Sequence, residues 1–112
     1  MEFQAQHPIL VPARTAVLLV FLPSAASRDT IGQRLSLTKL VGSWQQELGH
    51  TVRVLKIDEN VHPDVVRSFD VQQFPAVVLV QQGVELWRQE GITTAEAERT
   101  LMPNLLERIG NH

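Results

Sequence analysis

The chain has 112 residues, of which 44% are hydrophobic and 20% are charged, values typical of a protein that folds around one core. We therefore predict a single domain over residues 1–112. Ten basic and twelve acidic residues leave a net charge of -2 and are mixed along the chain. This balance argues against a site for nucleic acid or for an anionic membrane.

The sequence contains no cysteine, so it can neither form a disulfide nor attack one. Its longest apolar run, residues 16–22, is much shorter than a membrane span, and no signal-peptide pattern precedes it. We expect a cytoplasmic protein that has no contact with a membrane.

The first part of the chain predicts an arm and then a central strand. Two prolines restrict residues 1–14 to a short extended piece, either an arm or an edge strand. Residues 15–22 (TAVLLVFL) are almost all apolar and often branched, as in a strand covered on both faces. Pro23 ends this strand, and the small polar residues 24–29 predict a loop over its carboxyl end.

A long helix is predicted next, over residues 30–48, with Thr30 and Gln33 as a capping box and Gly49 as the stop. Its apolar residues recur at helical spacing: Leu37, Leu40, Val41, Trp44 and Leu48. Residues 51–58 alternate apolar and polar side chains and predict a second strand. A strand that follows a strand and a helix favours a right-handed parallel crossover.

A short helix and a hairpin follow. Asn60 and Pro63 indicate the cap and first turn of the helix, and its apolar stripe ends at Phe69. Residues 76–80 and 84–88, separated by the turn sequence QQG, predict an antiparallel hairpin.

The last helix is predicted to begin at a second capping box, Thr93 with Glu96, and Pro103 should kink or split it. The order of these elements predicts an α/β fold with a mixed sheet of four or five strands flanked by helices.

Four local features at a consistent spacing carry a resemblance to a known family. Residues 54–60 (VLKIDEN) give a strand and its acidic end, and residues 71–75 (VQQFP) give a hydrophobic-x-x-hydrophobic-Pro segment. Gly83 lies in the hairpin turn and Gly91 precedes the last helix. Over residues 16–109 the chain is similar to the thioredoxin family. This resemblance implies a thioredoxin-like fold and a cis-proline in the second segment. The shortened N-terminus departs from the family, because it lacks room for the usual first helix.

The departures from the family concern its chemistry. Thioredoxins carry a CxxC pair between the central strand and the long helix. The three candidate positions in this chain, 24–27, 26–29 and 31–34, contain no cysteine. Val20 and Val54 replace the buried carboxylate and lysine that assist disulfide chemistry in the family. The comparison implies a scaffold that has lost its redox chemistry.

The same resemblance indicates a binding site. In the family, the backbone before the cis-proline pairs with an extended substrate chain, so we expect Phe74 to offer such an edge to a peptide. The expected partner-binding residues lie in this segment and in the loop after the central strand: Gln73, Phe74, Pro75, Ser24, Ala26, Ser27 and Arg28. The alternative is that the proline only shapes the turn.

Other site chemistries find little support. Ser24, Ser27 and Asp29 invite a hydrolase interpretation, but no histidine falls where it would serve them as a base. Loop and cap roles are more typical of these residues. No two histidines lie at metal-ligand spacing, and Asp58 and Glu59 are typical of solvated loop carboxylates. We expect no catalytic residue, no metal and no cofactor.

Two features of the surface concern partners. The basic residues do not cluster in sequence, and we interpret them as solvated. Strict alternation along the last strand places Trp87 on a face with Glu85 and Gln89, and Leu86 and Arg88 on the other. An exposed Trp87 would mark a partner surface, although a half-buried tryptophan is more common.

Three functions stay open. The leading hypothesis is a redox-inactive thioredoxin-like module that binds a protein or peptide, as a monomer or a weak homodimer. The alternative is a thiol-disulfide oxidoreductase whose cysteines have been replaced, with Ser24 and Ser27 in their places, although the two valines argue against it. The third is a structural or chaperone subunit that docks one specific protein.

Overall fold

The computed structural model describes residues 15–24 and 28–110, and the predicted arm over residues 1–14 lies outside them. The described elements, in chain order, are β1 (Ala16–Leu22), α1 (Arg28–Leu48), β2 (Val52–Asp58), α2 (Pro63–Phe69), β3 (Ala76–Gln81), β4 (Val84–Glu90), α3 (Thr94–Glu96), a π-helical segment (Ala97–Leu101) and α4 (Met102–Gly110).

The four described strands form one mixed sheet in the order β2-β1-β3-β4. β1 runs parallel to β2 and antiparallel to β3, and β4 pairs antiparallel with β3. The central position of β1 explains its sequence, because a strand with neighbours on both sides and cover on both faces has no place for polar side chains. The predicted α/β fold with a mixed sheet is confirmed.

Alternate residues of β1 enter two separate apolar clusters, one on each face of the sheet. Leu18 and Val20 enter the larger core, which contains the buried stripe of α1 and the buried residues of the C-terminal helical segments. Leu19 and Phe21 enter the smaller core against α2, where the rings of Phe21 and Phe69 meet edge to face at 6.0 Å. Each face of the sheet is therefore closed by helices.

Among the described strands β2 pairs only with β1, and its other side is partly covered by a side chain of α1. Gln45 accepts a hydrogen bond from the Val54 amide at 2.8 Å and donates to the Val52 and Gly49 carbonyls at 3.0 Å each. Its amide group therefore satisfies backbone groups of β2 that the pairing with β1 leaves unused.

Helix boundaries differ slightly from the sequence predictions. α1 begins at Arg28, two residues before the predicted start at Thr30. The predicted cap Asn60 is wrong, because His62 holds the N-cap position of α2 and Pro63 follows it. The Asn60 amide donates instead to the Asp58 carboxylate at 2.9 Å, which places Asn60 inside the turn that leaves β2.

The final helix is interrupted as Pro103 predicts. Thr93 and Glu96 form the predicted capping box, with both reciprocal hydrogen bonds present. The π-helical segment Ala97–Leu101 ends two residues before Pro103. Since proline cannot donate to the preceding turn, a local change of helical pitch accommodates it.

The face prediction for β4 is wrong because the strand contains a bulge. Leu79 pairs with Trp87 and Val80 with Glu85, so Leu86 is an extra residue. Leu86 and Trp87, both half-buried, therefore pack together on the larger core instead of on opposite faces. Trp87 is not an exposed partner-binding residue.

Candidate functional site

The candidate site lies at one edge of the sheet, where β1 and β2 end, β3 begins and β4 ends. Leu22 is paired with Asp58, and Ala76 lies between Phe21 and Glu90. We call this edge, with residues 23–24, 58 and 72–75 beside it, the carboxyl edge. Its position brings segments that are far apart in sequence into one surface.

The structure places five of the seven sequence-predicted site residues. Ser24 is half-buried just beyond β1, and Arg28 is exposed as the first residue of α1. Gln73 is exposed, Phe74 is half-buried against the smaller core and Pro75 is buried. Ala26 and Ser27 lie outside the described residues. The antiparallel register of β1 and β3 brings Ser24 and the Gln73–Pro75 segment to the same edge.

The Phe74–Pro75 peptide bond is cis, as the resemblance implies. The Pro75 carbonyl accepts a hydrogen bond from the Ile92 amide at 3.1 Å. No hydrogen bond joins the amide or carbonyl of Phe74 to another residue in the parts of the chain that the structure describes. Within residues 15–24 and 28–110, the main chain of Phe74 is thus not used for pairing at the carboxyl edge.

Glu90 fixes the two residues before Phe74. Its Oε1 accepts the amides of Gln72 at 2.7 Å and Gln73 at 3.0 Å, and its Oε2 accepts Nη1 of Arg88 at 2.7 Å. Burial raises the pKa of Glu90, but the two amides and Arg88 outweigh it, so the pKa lies below its ordinary value of 4.5. The carboxylate thus serves as the anchor of this segment.

Arg88 in turn joins three groups. It forms a two-point pair with Glu85, through Nε to Oε2 at 2.8 Å and Nη2 to Oε1 at 2.7 Å. Nη2 also donates to the Phe69 carbonyl at 2.7 Å. Hydrogen bonding to Glu85 raises the pKa of Arg88 and lowers that of Glu85. The bulge makes this pair possible, because it puts Glu85 and Arg88 on one face.

Arg34 closes the other side of the carboxyl edge. Its Nη1 donates to the Pro23 carbonyl and its Nη2 to Oδ2 of Asp58, both at 2.8 Å. The Asn60 amide, and after it Arg34, hold the pKa of Asp58 below its ordinary value of 3.8. The sequence interpretation of Arg34, Arg88 and Asp58 as solvated was wrong. Each pairs with a residue distant in sequence or beyond a bulge, which spacing alone does not reveal.

The redox groups of the thioredoxin comparison are absent. The chain has no cysteine, and Val20 and Val54 are both buried in the larger core. Among residues 15–24 and 28–110, no three metal-ligating side chains come close enough to hold an ion. Within the same ranges no helix is long and apolar enough to cross a membrane.

No family model matches the chain, and no curated protein matches it in sequence. Solved structures do match it. Thioredoxin-2 of the malaria parasite, a component of its protein secretion machinery, is 21% identical with a TM-score of 0.57, covering 88% of this chain and 84% of that one. A Fasciola hepatica thioredoxin is 17% identical with a TM-score of 0.62, covering 80% of each chain. Mitochondrial thioredoxin 3 of Saccharomyces cerevisiae is 20% identical with a TM-score of 0.56, covering 80% and 79%.

The fold is therefore thioredoxin-like, and identities near 20% show the fold alone. Within that class the chain stands out by its lack of cysteine, so it is not a thiol redox enzyme. The carboxyl edge keeps the cis-proline segment and lacks the reactive pair.

Proposed function

We propose that this protein binds an extended polypeptide at the carboxyl edge by main-chain pairing with Phe74. The Gln73–Pro75 segment forms one wall of the site, and Ser24 and Arg28 lie on the other side. Ala26 and Ser27, which the sequence also predicts as partner-binding residues, lie outside the described residues. Binding is reversible, because a chain without cysteine cannot hold its partner through a mixed disulfide.

The observation that carries this proposal is the Phe74 main chain, which has no hydrogen-bond partner among the described residues although its side chain is half-buried. Such backbone groups are the means by which an extended peptide adds to a sheet edge. The residues on both sides are fixed, since Glu90 holds the amides of Gln72 and Gln73 and Ile92 holds the carbonyl of Pro75. An edge held in this way loses little entropy on binding.

Nuclear magnetic resonance with an unfolded probe tests the proposal. Reduced, carboxymethylated α-lactalbumin is a permanently unfolded chain without free thiols. Its addition should shift the amide resonances of Gln73 and Phe74 and those near Ser24, and leave the hairpin tip at Gln82 and Gly83 unchanged. Shifts confined to other surfaces, or no shifts at all, would refute the proposed site.

A pair of variants adds a quantitative measure. Phe74→Ala should weaken binding of the same probe about fivefold, the loss expected for a half-buried aromatic contact worth about 1 kcal/mol. Val84→Ala is the matched control, because Val84 is 59% exposed at the start of β4, away from the carboxyl edge. Equal affinities of the two variants would contradict the role of Phe74.

An insulin reduction assay separates this function from the oxidoreductase alternative. The pure chain should not accelerate the reduction of insulin disulfides by dithiothreitol, because neither a nucleophilic nor a resolving thiol is present. Insulin reduction above the background rate would contradict the hypothesis of a redox-inactive binding module.

A further inference from the structure

We propose that Glu90 is the positioning residue of the carboxyl edge: its carboxylate holds residues 72 and 73 so that the main chain of Phe74 faces an incoming polypeptide. The proposal rests on the binding function proposed above. It assigns to β4 a part in recognition that the thioredoxin resemblance does not supply, since no sequence motif pointed to Glu90.

The first argument is the geometry of the carboxylate. A single oxygen, Oε1, accepts two successive backbone amides, those of Gln72 and Gln73, immediately before Phe74. Hydrogen bonds from amides to a charged oxygen are shorter and stronger than neutral ones. Because both bonds converge on one atom, they fix the direction in which the chain enters Phe74.

The second argument is that Glu90 is itself held. Arg88 donates to the other carboxylate oxygen, Oε2, at 2.7 Å, and the side chain of Glu90 is only 21% exposed. A glutamine at this position would keep one acceptor oxygen but would turn a donor NH₂ group towards Arg88 or towards the two amides. The site therefore requires a carboxylate and not merely a polar side chain.

The third argument is that two residues, at the end of β4 and just after it, hold the segment at both of its ends. Glu90 takes the amides of residues 72 and 73, and the Ile92 amide takes the Pro75 carbonyl. Between them, Gly91 has a φ of +67°, and a Cβ placed there would lie 2.6 Å from Oε1 of Gln73. The exposed Gln73 side chain could move away from such a Cβ, so it is the positive φ that favours glycine at this position.

The charge of Glu90 makes the positioning depend on pH. Arg88 faces the carboxylate from its own strand, together with Glu85, which shares Arg88. In the loop before the segment, the Asp70 carboxylate accepts a hydrogen bond from the side-chain amide of Gln72. The positioning should be complete above pH 4.5, the ordinary pKa of a glutamate, and should be lost as pH falls through the lowered pKa of Glu90.

The test compares Glu90→Gln with Glu85→Gln. Both variants remove one carboxylate partner of Arg88, but only Glu90 contacts the segment before Phe74. Native-state hydrogen exchange at neutral pH should speed up about tenfold at the amides of Gln72 and Gln73 in Glu90→Gln, which corresponds to the loss of about 1.4 kcal/mol. Glu85→Gln should leave both rates unchanged.

Binding of carboxymethylated α-lactalbumin supplies the second readout. Glu90→Gln should weaken binding at neutral pH and remove the difference between neutral pH and pH below 4.5, whereas Glu85→Gln should bind as wild type. Unchanged exchange in Glu90→Gln, or equal effects of both variants, would overturn the positioning role. A wild-type chain that fails to bind the probe refutes the proposed function, and the exchange rates still decide whether Glu90 holds the segment.

Discussion

The two sides of the carboxyl edge are each fastened by one arginine, but to different extents. On the side where thioredoxins carry their thiols, Arg34 joins one carboxylate, Asp58, to one carbonyl, that of Pro23. On the proline side, Arg88 joins two carboxylates to the Phe69 carbonyl, and Glu90 extends the contact to two backbone amides. The proline side is therefore the more firmly defined surface.

The two sides also differ in how they use charge. Behind the side where thioredoxins carry their thiols, Val20 and Val54 belong to a core in which the described buried residues include no ionisable group. A buried carboxylate is costly unless a paired charge or hydrogen bonds compensate it, so valines at both positions favour the stability of this core. Charge is instead concentrated on the proline side, where it orients main chain.

The largest loss of stability should come from placing a carboxylate in the apolar core behind the side where thioredoxins carry their thiols. Val20→Asp places a carboxylate at a position with 0% exposure, and we expect unfolding to become easier by about 4 kcal/mol or more. Urea denaturation measures this loss. Val20→Ala is the control, since it removes volume without adding charge and should cost about half as much. Equal losses in the two variants would contradict an apolar requirement at Val20.

The second largest loss of stability should come from Arg88→Met on the proline side. This variant keeps much of the side-chain length but leaves Glu85, Glu90 and the Phe69 carbonyl without their shared donor. We expect a loss of about 2 kcal/mol in the free energy of unfolding, because the four hydrogen bonds that Arg88 donates to Glu85, Glu90 and the Phe69 carbonyl are lost together. A loss below that of the corresponding Arg34 variant would reverse the ranking of the two sides.

A smaller effect is expected on the thiol side. Arg34→Met removes one ion pair, whose side chains are 23% and 26% exposed, and one carbonyl contact. The expected loss is about 1 kcal/mol. A double-mutant cycle with Asp58→Asn isolates the ion pair, and a coupling energy of zero would show that Arg34 acts only through Pro23.

The smallest effect should be the acid response of the proline side. The lowered pKa values of Glu85 and Glu90 mean that both carboxylates contribute stability above pH 4.5, and this contribution disappears as pH falls through their folded-state values. The double variant Glu85→Gln/Glu90→Gln should therefore lose less stability than wild type between about pH 5 and about pH 3. Thermal melts measure the stability at each pH. If the stability of the double variant and of wild type fell equally with pH, the two carboxylates would not contribute to the acid response.

Much of the fold could be predicted from local patterns. The apolar run of β1, the helical spacing in α1, the capping box at Thr93 and the break at Pro103 each leave a signal within a few residues. The hairpin was equally readable, because its turn requires positive φ at Gln82 and Gly83. These features depend on neighbours in sequence, which a single sequence contains in full.

The candidate site was predictable only in part. The segment around Phe74 was found through resemblance, but Arg34 and Glu90 were missed because their partners lie 24 and 17 to 18 residues away. The prediction of which β4 side chains share a face was wrong for another reason. No glycine or other turn residue marks the bulge at Leu86 in the sequence. Ion pairs between residues distant in sequence, and register shifts without a sequence signal, can be recognised only in the three-dimensional structure.

Gln45 limits how the sheet can grow. Its side-chain amide occupies the Val52 carbonyl and the Val54 amide on the side of β2 away from β1. A further strand, from any source, can pair with that half of β2 only after displacing Gln45. One side chain of α1 thus protects this half of β2 against edge-to-edge association.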